Sequence, residues 1–168
     1  FTAADGSGGS ASDTIEIEIG ADPPPDATAG EIRAVPPHPG AGEAVALRAS
    51  LESRAQDLTA TVTLFDGDPA SGGSEIGSSE AYVAANSRGF AEVPWTPGAQ
   101  GVHEIFAVVS GVHVFGDPDD AESNTSDNQA SSSIRVLGPP AASISSLSLD
   151  FGLERSVLAF IVENTGGG

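Results

Sequence analysis

Residues 58–77 read LTATVTLFDGDPASGGSEIG, and this stretch decides the fold. From Leu58 to Leu64, apolar residues at even positions alternate with threonines at odd positions. A period of two residues is typical of a strand with one buried and one solvent-facing side. The following run, 66–73, is rich in Gly, Asp and Pro and predicts a turn, after which 75–77 begins a second strand. We therefore predict a β-hairpin of a sandwich rather than a catalytic loop.

The composition of the whole chain also favours sheets over helices. Of the 168 residues, 39% are hydrophobic, which is enough for a packed core, while 21 are glycine and 12 are proline. Glycine and proline mark turns, and here they separate about seven short stretches with strand periodicity. The sequence predicts an all-β, immunoglobulin-like two-sheet β-sandwich of about seven strands, with extra terminal strands.

Composition divides the chain into five segments. Residues 1–20 contain one strand pattern, interpreted as a terminal strand or as a donated strand. A Pro-rich linker at 21–30, in which three consecutive prolines favour extended polyproline II, leads to the sandwich at 31–137. A second linker, 138–142, precedes the first strands of a following β-sandwich module, or an assembly arm, at 143–168.

Within the sandwich, the pattern predicts strands at 31–35, 45–51, 58–65, 91–95, 101–109 and 129–137, with short connecting strands at 75–77 and 80–85. Gly101–Val109 is apolar on both faces and should be central. Trp95, the single tryptophan, should fill the core. If Val102–Val109 and Val112–Phe115 pair as a hairpin around 110–111, His103 and His113 would lie near each other.

The charge excludes several classes of partner. The formal net charge is -18, from 24 acidic residues against six arginines. Such a field repels nucleic acid and anionic lipid, and no apolar run reaches the roughly 18–20 residues that cross a bilayer. We therefore expect neither nucleic-acid binding nor membrane insertion. The acidity is interpreted as a solvated surface or, alternatively, as adaptation to salt or divalent cations, which screen self-repulsion.

Residue types needed for catalysis are sparse. The chain has no cysteine, which excludes disulfides and thiolate metal sites. Two of the three histidines at most could meet, and two imidazoles alone make a poor zinc site. No Gly-x-Ser-x-Gly nucleophile motif occurs. The sequence predicts no enzymatic activity, no catalytic residue and no required cofactor.

An acidic loop at 117–127 is the candidate metal site. It is bent by Pro118 and contains no basic residue, and calcium binds six to eight oxygen ligands. The spacing departs from the EF-hand pattern because Ala121 stands where a ligand is needed and no glycine follows. Calcium is the predicted optional ligand, and a solvated acidic loop is the alternative. The predicted ligands are Asp117, Asp119, Asp120, Glu122, Asn124 and Asp127.

Two terminal stretches carry apolar residues without enough strands to cover them. A lone strand cannot satisfy its backbone or bury its side chains, so it must join a sheet. That sheet is either the sandwich of the same molecule or the exposed edge of another molecule. The residues predicted to act in such strand addition are Ile15, Ile17, Ile19, Leu149, Phe151, Leu158 and Phe160.

Several motifs occur in an order found in one known family. They are Gly42-Glu43-Ala44-Val45, VTLFDGDP at 62–69, GGSEIG at 72–77, Trp95, GVHEI at 101–105, and Glu122-Ser123-Asn124-x-x-Asp127-Asn128-Gln129-Ala130. Over about 31–137 the chain thereby resembles the CARDB domain, a bacterial and archaeal immunoglobulin-like module. The segment 1–20 resembles the end of an immunoglobulin-like surface repeat. The segment 143–168, with LDFG at 149–152 and VENTG at 162–166, resembles ASPM/SPD-2/hydin or choice-of-anchor type repeats.

This resemblance implies a non-enzymatic structural or adhesion module of a cell-surface or secreted protein of a bacterium or archaeon, with protein partners. One alternative is a subunit of a self-assembling extracellular filament, whose partners are copies of itself joined through the terminal strands. Another is a carbohydrate-binding accessory module of a secreted hydrolase. That alternative lacks an obvious aromatic platform, because Trp95, Tyr82 and most phenylalanines fall on strand positions that we expect to be buried.

Overall fold

The computed structural model describes residues 2–4, 10–12, 22–122, 124–139, 142–144 and 162–164. Its strands are β1 Thr2–Ala4, β2 Ser10–Ser12, β3 Asp26–Val35, β4 Val45–Arg54, β5 Leu58–Asp66, β6 Ser74–Val83, β7 Arg88–Trp95, β8 Gly101–Val114, β9 Asp117–Ala121, β10 Gln129–Val136, β11 Ala142–Ile144 and β12 Val162–Asn164. A 3-10 turn, Pro69–Ser71, lies between β5 and β6.

Seven strands and the short β9 form a two-sheet β-sandwich. One sheet has the order β3-β4-β7, and the other has the order β10-β8-β5-β6, with β9 added beside β8. All pairs are antiparallel, and the chain crosses from one sheet to the other between β4 and β5. This strand order is immunoglobulin-like, with the fourth strand of the domain on the second sheet. The predicted fold class is confirmed. Two short ladders, β1-β2 and β11-β12, are separate from it.

The core lies between the two sheets and follows the two-residue period. The apolar residues of the opening stretch, from Leu58 to Leu64, are at most 1% exposed. Leu47 and Ile105 meet them from β4 and β8, also at 0% exposure, and Trp95 is buried as predicted. Burying each such leucine or isoleucine contributes about 1.5–3 kcal/mol. The alternation in 58–64 therefore fixes which face of β5 is inside.

The hairpin around 110–111 that would bring His103 and His113 together does not form, because β8 runs unbroken from Gly101 to Val114. Gly111 has φ of 60°, and the register with β5 shifts beside it. This bulge absorbs one extra residue, so that Val109 and Val112 both face the core. His103 and His113 consequently lie toward opposite ends of one strand.

Three further boundaries differ from the pattern. The two short strands predicted at 75–77 and 80–85 are the single strand β6, which continues past a register shift opposite Leu64 and Phe65. β3 begins at Asp26, inside the stretch interpreted as a linker, because Ala27 is fully buried and pairs with Ser53 of β4. The predicted acidic loop begins with a strand, β9, paired with the end of β8.

Candidate functional site

Three carboxylates meet where the first strand of the sandwich begins. Oxygens of Asp26, Glu122 and Asp127 all lie within 4.8 Å of one another, and the three residues are half-buried. Asp26 opens β3 directly after the prolines, Glu122 follows β9, and Asp127 precedes β10. We call these three residues the acidic cluster. It joins the start of β3 to the β9–β10 connection, which is remote in sequence.

Hydrogen bonds from neighbouring groups fix two of these carboxylates. Glu122 Oε1 accepts from the backbone N–H of Ala27 at 2.7 Å, and its other oxygen accepts from Nδ2 of Asn128. Asp127 Oδ2 accepts from the Thr28 hydroxyl at 2.9 Å. Charge-assisted bonds of this kind hold carboxylate groups in defined orientations. Two of the three carboxylates are thus held in place rather than free to rotate.

The negative charge of the acidic cluster is poorly balanced. Arg54 Nη1 approaches Asp26 Oδ2 only to 3.7 Å, and 74% of the Arg54 side chain is exposed. Solvent therefore screens this pair. Like charges this close disfavour one another unless a proton or a cation joins them. Three carboxylates this close have the spacing that could hold a metal ion.

An unsatisfied amide oxygen adjoins the acidic cluster. Asn128 is 6% exposed, and its amide group lies against the Glu122 carboxylate through Nδ2. Its Oδ1 atom is buried without a hydrogen-bond partner among the described residues. A buried acceptor left unpaired costs about 1–3 kcal/mol. It is Nδ2 that contacts Glu122, so Oδ1 is not one of the oxygens that converge at the acidic cluster.

The structure brings three of the six predicted calcium ligands together. Glu122 and Asp127 belong to the acidic cluster, and Asn124 Nδ2 lies 3.4 Å from Asp127 Oδ1 and 3.5 Å from Asp26 Oδ1. A hollow of about 290 Å³, lined by Asn124, Asp26, Arg54 and the three prolines, gives this site access from solvent.

The other three predicted ligands lie apart from the acidic cluster. Asp117, Asp119 and Asp120 are on β9, where pairing with β8 extends the backbone. Asp117 and Asp119 are exposed, and Asp117 Oδ1 accepts from the backbone N–H of Asp119 at 3.2 Å. The sequence predicted one acidic loop and no strand within it. Counting acidic residues in that loop therefore could not distinguish the aspartates of β9 from the residues that meet at the acidic cluster.

Sequence reasoning missed Asp26, which lies 98 positions before Asn124. The sequence did contain one indication. Asp26 directly follows the prolines, and with Ala27 and Thr28 it begins a short alternation of polar and apolar residues that is typical of a strand. Asn128 was part of the quoted motif before the last strand, but it was given no role. Only the pairing of sheets places both residues at the acidic cluster.

The aromatic residues are more exposed than the strand pattern predicts. Tyr82, Phe90 and Phe115 are 50%, 48% and 61% exposed, so the expectation of burial is wrong for these three. Along β6 it is Ala81 and Val83 that face the core, which leaves Tyr82 on the outer face. Small apolar neighbours had hidden this alternation in the sequence.

Two other expectations from the sequence concern strand addition and membrane insertion. The residues predicted to act in strand addition, Ile15, Ile17, Ile19, Leu149, Phe151, Leu158 and Phe160, lie outside the described residues. Across the described ranges, no helix has the length and apolar character needed to cross a membrane.

Comparison with known proteins gives structural matches alone. Neither a protein-family model nor a curated protein matches the chain. A crystal structure of the CARDB domain of the PF1109 protein from Pyrococcus furiosus, in complex with di-metal ions, is 17% identical, with 74% of this chain and 99% of that chain covered at a TM-score of 0.46. A solution NMR structure of that CARDB domain is 18% identical, with 67% and 94% covered at a TM-score of 0.45.

A third match is the alkylpurine DNA glycosylase AlkC of Pseudomonas fluorescens, bound to DNA containing an abasic site analog. It is 14% identical, with 66% of this chain but only 30% of that chain covered, at a TM-score of 0.37. The flanking repeats suggested by the sequence have no counterpart among these matches. By its own strand order the chain is an immunoglobulin-like β-sandwich, and CARDB domains, the family that the sequence resembles, are among the solved structures similar to it.

Proposed function

We propose that the chain is a non-enzymatic structural or adhesion module of an extracellular or cell-surface protein, and that it acts as an in-line spacer. The observation that carries this proposal is the placement of the two ends of the sandwich. Asp26, at the start of β3, pairs with Arg54, whereas Val136, at the end of β10, pairs with Gly101 at the opposite end of the sandwich. The chain enters at one end and leaves at the other.

This geometry suits a module joined head to tail with others. β3 has ten residues. At about 3.3 Å per residue, such a strand spans ~33 Å. The three prolines before it favour a stiff connection, since polyproline II is extended. A module of this kind separates its neighbours by a fixed length and presents loops to a protein partner.

Calcium at the acidic cluster would stiffen the N-terminal joint. The cluster links Asp26, adjacent to the prolines, to Glu122 and Asp127 in the β9–β10 connection. Carboxylate and amide oxygens are the ligands that calcium prefers, and extracellular modules bind it with dissociation constants of about 10⁻⁴–10⁻³ M. A bound divalent ion would neutralise the mutual repulsion and hold the start of β3 against the second sheet.

The size of the protein in solution tests the spacer proposal against the filament alternative. We expect light scattering at high concentration and high salt to give one 16.7 kDa species, with or without calcium. Scattering mass that grows with concentration would contradict the spacer proposal. It would favour self-assembly through the terminal strands, an open-ended contact between copies.

One observation favours carbohydrate binding as a second candidate function. The Tyr82 and Phe115 rings, both half-exposed or more, meet edge to face with centroids 5.1 Å apart. Asp57 fixes this corner, because its Oδ2 accepts from the Tyr82 hydroxyl at 2.9 Å and its backbone oxygen accepts from the Phe115 N–H at 2.9 Å. Tyrosine is enriched at binding interfaces, where its apolar ring and polar hydroxyl both find partners.

Glycan binding by matched variants tests this second candidate. If a sugar stacks at the corner, Tyr82→Ala and Phe115→Ala should both abolish retention on a glycan array. Phe90→Ala removes a similarly exposed ring from the other sheet and should leave retention unchanged. Silence of the wild-type protein on the array would remove the carbohydrate-binding candidate.

A further inference from the structure

His103 is wedged at the end of the sandwich where the chain leaves it. Its Nδ1 lies 2.7 Å from Asp66 Oδ2, and its Nε2 lies 3.0 Å from the backbone oxygen of Ala99. The imidazole meets the Trp95 ring edge to face, with centroids 5.4 Å apart. Only 16% of the His103 side chain is exposed.

The hydrogen-bond partners of His103 determine the protonation state of its ring. A carboxylate and a peptide carbonyl can only accept hydrogen bonds, whereas a neutral imidazole has one N–H and one lone pair. A neutral ring would therefore turn a lone pair toward an oxygen at one of its two contacts. Only the imidazolium donates to Asp66 and to Ala99 at the same time.

His113 provides the contrast within the same strand. Its Nδ1 lies 2.8 Å from the backbone oxygen of Gly111, and its Nε2 lies 2.7 Å from the Thr59 hydroxyl. A hydroxyl donates as well as accepts, so one neutral tautomer satisfies both contacts. Of these two histidines, only His103 has two partners that can do nothing but accept.

The side chains that face His103 from the packed strands are acidic or apolar. β5 contributes Asp66, and Glu75 of β6 lines a hollow together with Asp66 and Trp95, the two side chains that contact His103. β7 contributes Trp95, and β10 places Ile134 directly opposite His103. In the described part of the chain, this neighbourhood stabilises a positive ring.

The pKa of His103 agrees with the contacts. Burial lowers this pKa, but the hydrogen bonds to Asp66 and to the Ala99 backbone, with the Asp66 charge, outweigh burial and raise it above 6.5. The nearest charged neighbours along the strands, Glu104 and Arg135, alternate with buried residues and face outward. They do not replace Asp66 as the partner of the ring.

The contact with Ala99 holds segment 96–100, which connects β7 to β8. This segment also supports the place where the chain leaves the sandwich. Pro97 accepts from the Gly42 N–H at 2.7 Å, and Gln100 lies so close to Gly138 that a Cβ on residue 138 would be 2.0 Å from Gln100 Oε1. Movement of segment 96–100 would therefore disturb the contact with Gly138, where the chain leaves the sandwich.

We propose that His103, as an imidazolium, is a pH-dependent clasp that holds segment 96–100 against the C-terminal end of the sandwich. When the ring loses a proton, Nδ1–H keeps its bond to the Asp66 carboxylate, and the Nε2 lone pair repels the Ala99 oxygen. Segment 96–100 then loses one of its anchors. This inference is independent of calcium at the acidic cluster, which lies at the other end of the sandwich.

The sign of the pH dependence follows from the direction of the shift. Because the folded pKa of His103 lies above the unfolded value near 6.5, the clasp stabilises the fold fully below about pH 6.5. This contribution holds in the range where aspartates remain ionised. It is lost as the pH rises through the folded pKa, so release occurs on the alkaline side.

Spectroscopy of the unmodified chain tests the clasp directly. Nitrogen-15 shifts of the His103 ring should show both nitrogens protonated in most molecules at pH 6.5, with a midpoint above that value. Emission of Trp95, the single tryptophan, should rise with the same midpoint, because a protonated imidazole quenches an adjacent indole more strongly. Amide-exchange protection of Gly42 should fall at that midpoint, while that of Ala29, at the other end, stays constant.

Two variants complete the test. The emission change should vanish in His103→Gln and persist in His113→Gln. Any one of three results would overturn the clasp. They are a ring midpoint at or below pH 6.5, an emission change that survives in His103→Gln, and amide-exchange protection of Gly42 that stays constant across the midpoint. The ring and exchange measurements use the wild-type chain, so they decide the question even if a variant folds poorly.

Discussion

Gly73 and Gly67 meet backbone to backbone in the turn between β5 and β6. A Cβ added to Gly73 would lie 2.2 Å from the carbonyl oxygen of Gly67, far inside contact distance. We therefore expect Gly73→Ala to force the turn apart and to lower the free energy of unfolding by about 1–3 kcal/mol. Urea denaturation followed by Trp95 emission measures this loss.

The matched control for that turn is Gly98→Ala. A Cβ at Gly98 would meet no described atom within 4 Å. Its effect on the free energy of unfolding should therefore stay within about 0.5 kcal/mol. Equal losses in the two variants would show that close packing against Gly67 does not govern the turn.

β5, which contains the alternating run from Leu58 to Leu64, should be the strand most sensitive to truncation of a core side chain. Leu64 is fully buried. Leu64→Ala removes part of its side chain and leaves a cavity, a change that costs about 2–5 kcal/mol.

The control for this truncation is Val102→Ala, at a position that is 72% exposed. Such a surface substitution should change the free energy of unfolding by less than about 0.5 kcal/mol. If the leucine variant unfolds as late in urea as the valine variant, the assignment of the buried face is incorrect.

Tyr82 is the single tyrosine, so an absorbance titration reports it alone. Its hydroxyl donates to Asp57, and this bond, with partial desolvation and the Asp57 charge, raises the pKa of Tyr82 above 10. We expect a wild-type midpoint above 10 and a lower midpoint in Asp57→Asn, which removes the charge. Asp68→Asn, which alters a carboxylate in another turn, should leave the midpoint unchanged. A wild-type midpoint at or below 10 would argue against the aromatic corner as described.

The sequence predicted the strands best where burial alternates without interruption. The run from Leu58 to Leu64 and the burial of Trp95 followed directly from residue type and period. Bulges were not predictable in this way: the register with β5 shifts beside Gly111, and β8 continues where the sequence also allowed a hairpin turn. A period of two cannot show in advance that one residue will be skipped.

The acidic cluster could be predicted only in part, because its members come from distant strands. Asp127 and Glu122 were identified from the density of acidic residues in one loop. Asp26 became visible only through sheet pairing that places the start of β3 beside the β9–β10 connection. Conversely, the sequence predicted Asp119 as a calcium ligand, but this residue lies on β9 and is exposed. Local composition identifies the chemistry of such a site, and the fold selects its members.

Thermal unfolding with and without calcium tests the central claim most directly. The comparison uses wild type, Asp26→Asn in the acidic cluster, and Asp119→Asn on β9 as the matched control. Calcium at about 100 times its dissociation constant should stabilise wild type and the control by about 2.7 kcal/mol. Without calcium, Asp26→Asn should melt no lower than wild type, because it removes one of three mutually repelling charges.

The account predicts a calcium-dependent rise in Tm for wild type and Asp119→Asn, and a rise that is strongly reduced in Asp26→Asn. A wild-type Tm that calcium leaves unchanged, or an equal rise in all three proteins, would contradict a calcium site at Asp26, Glu122 and Asp127.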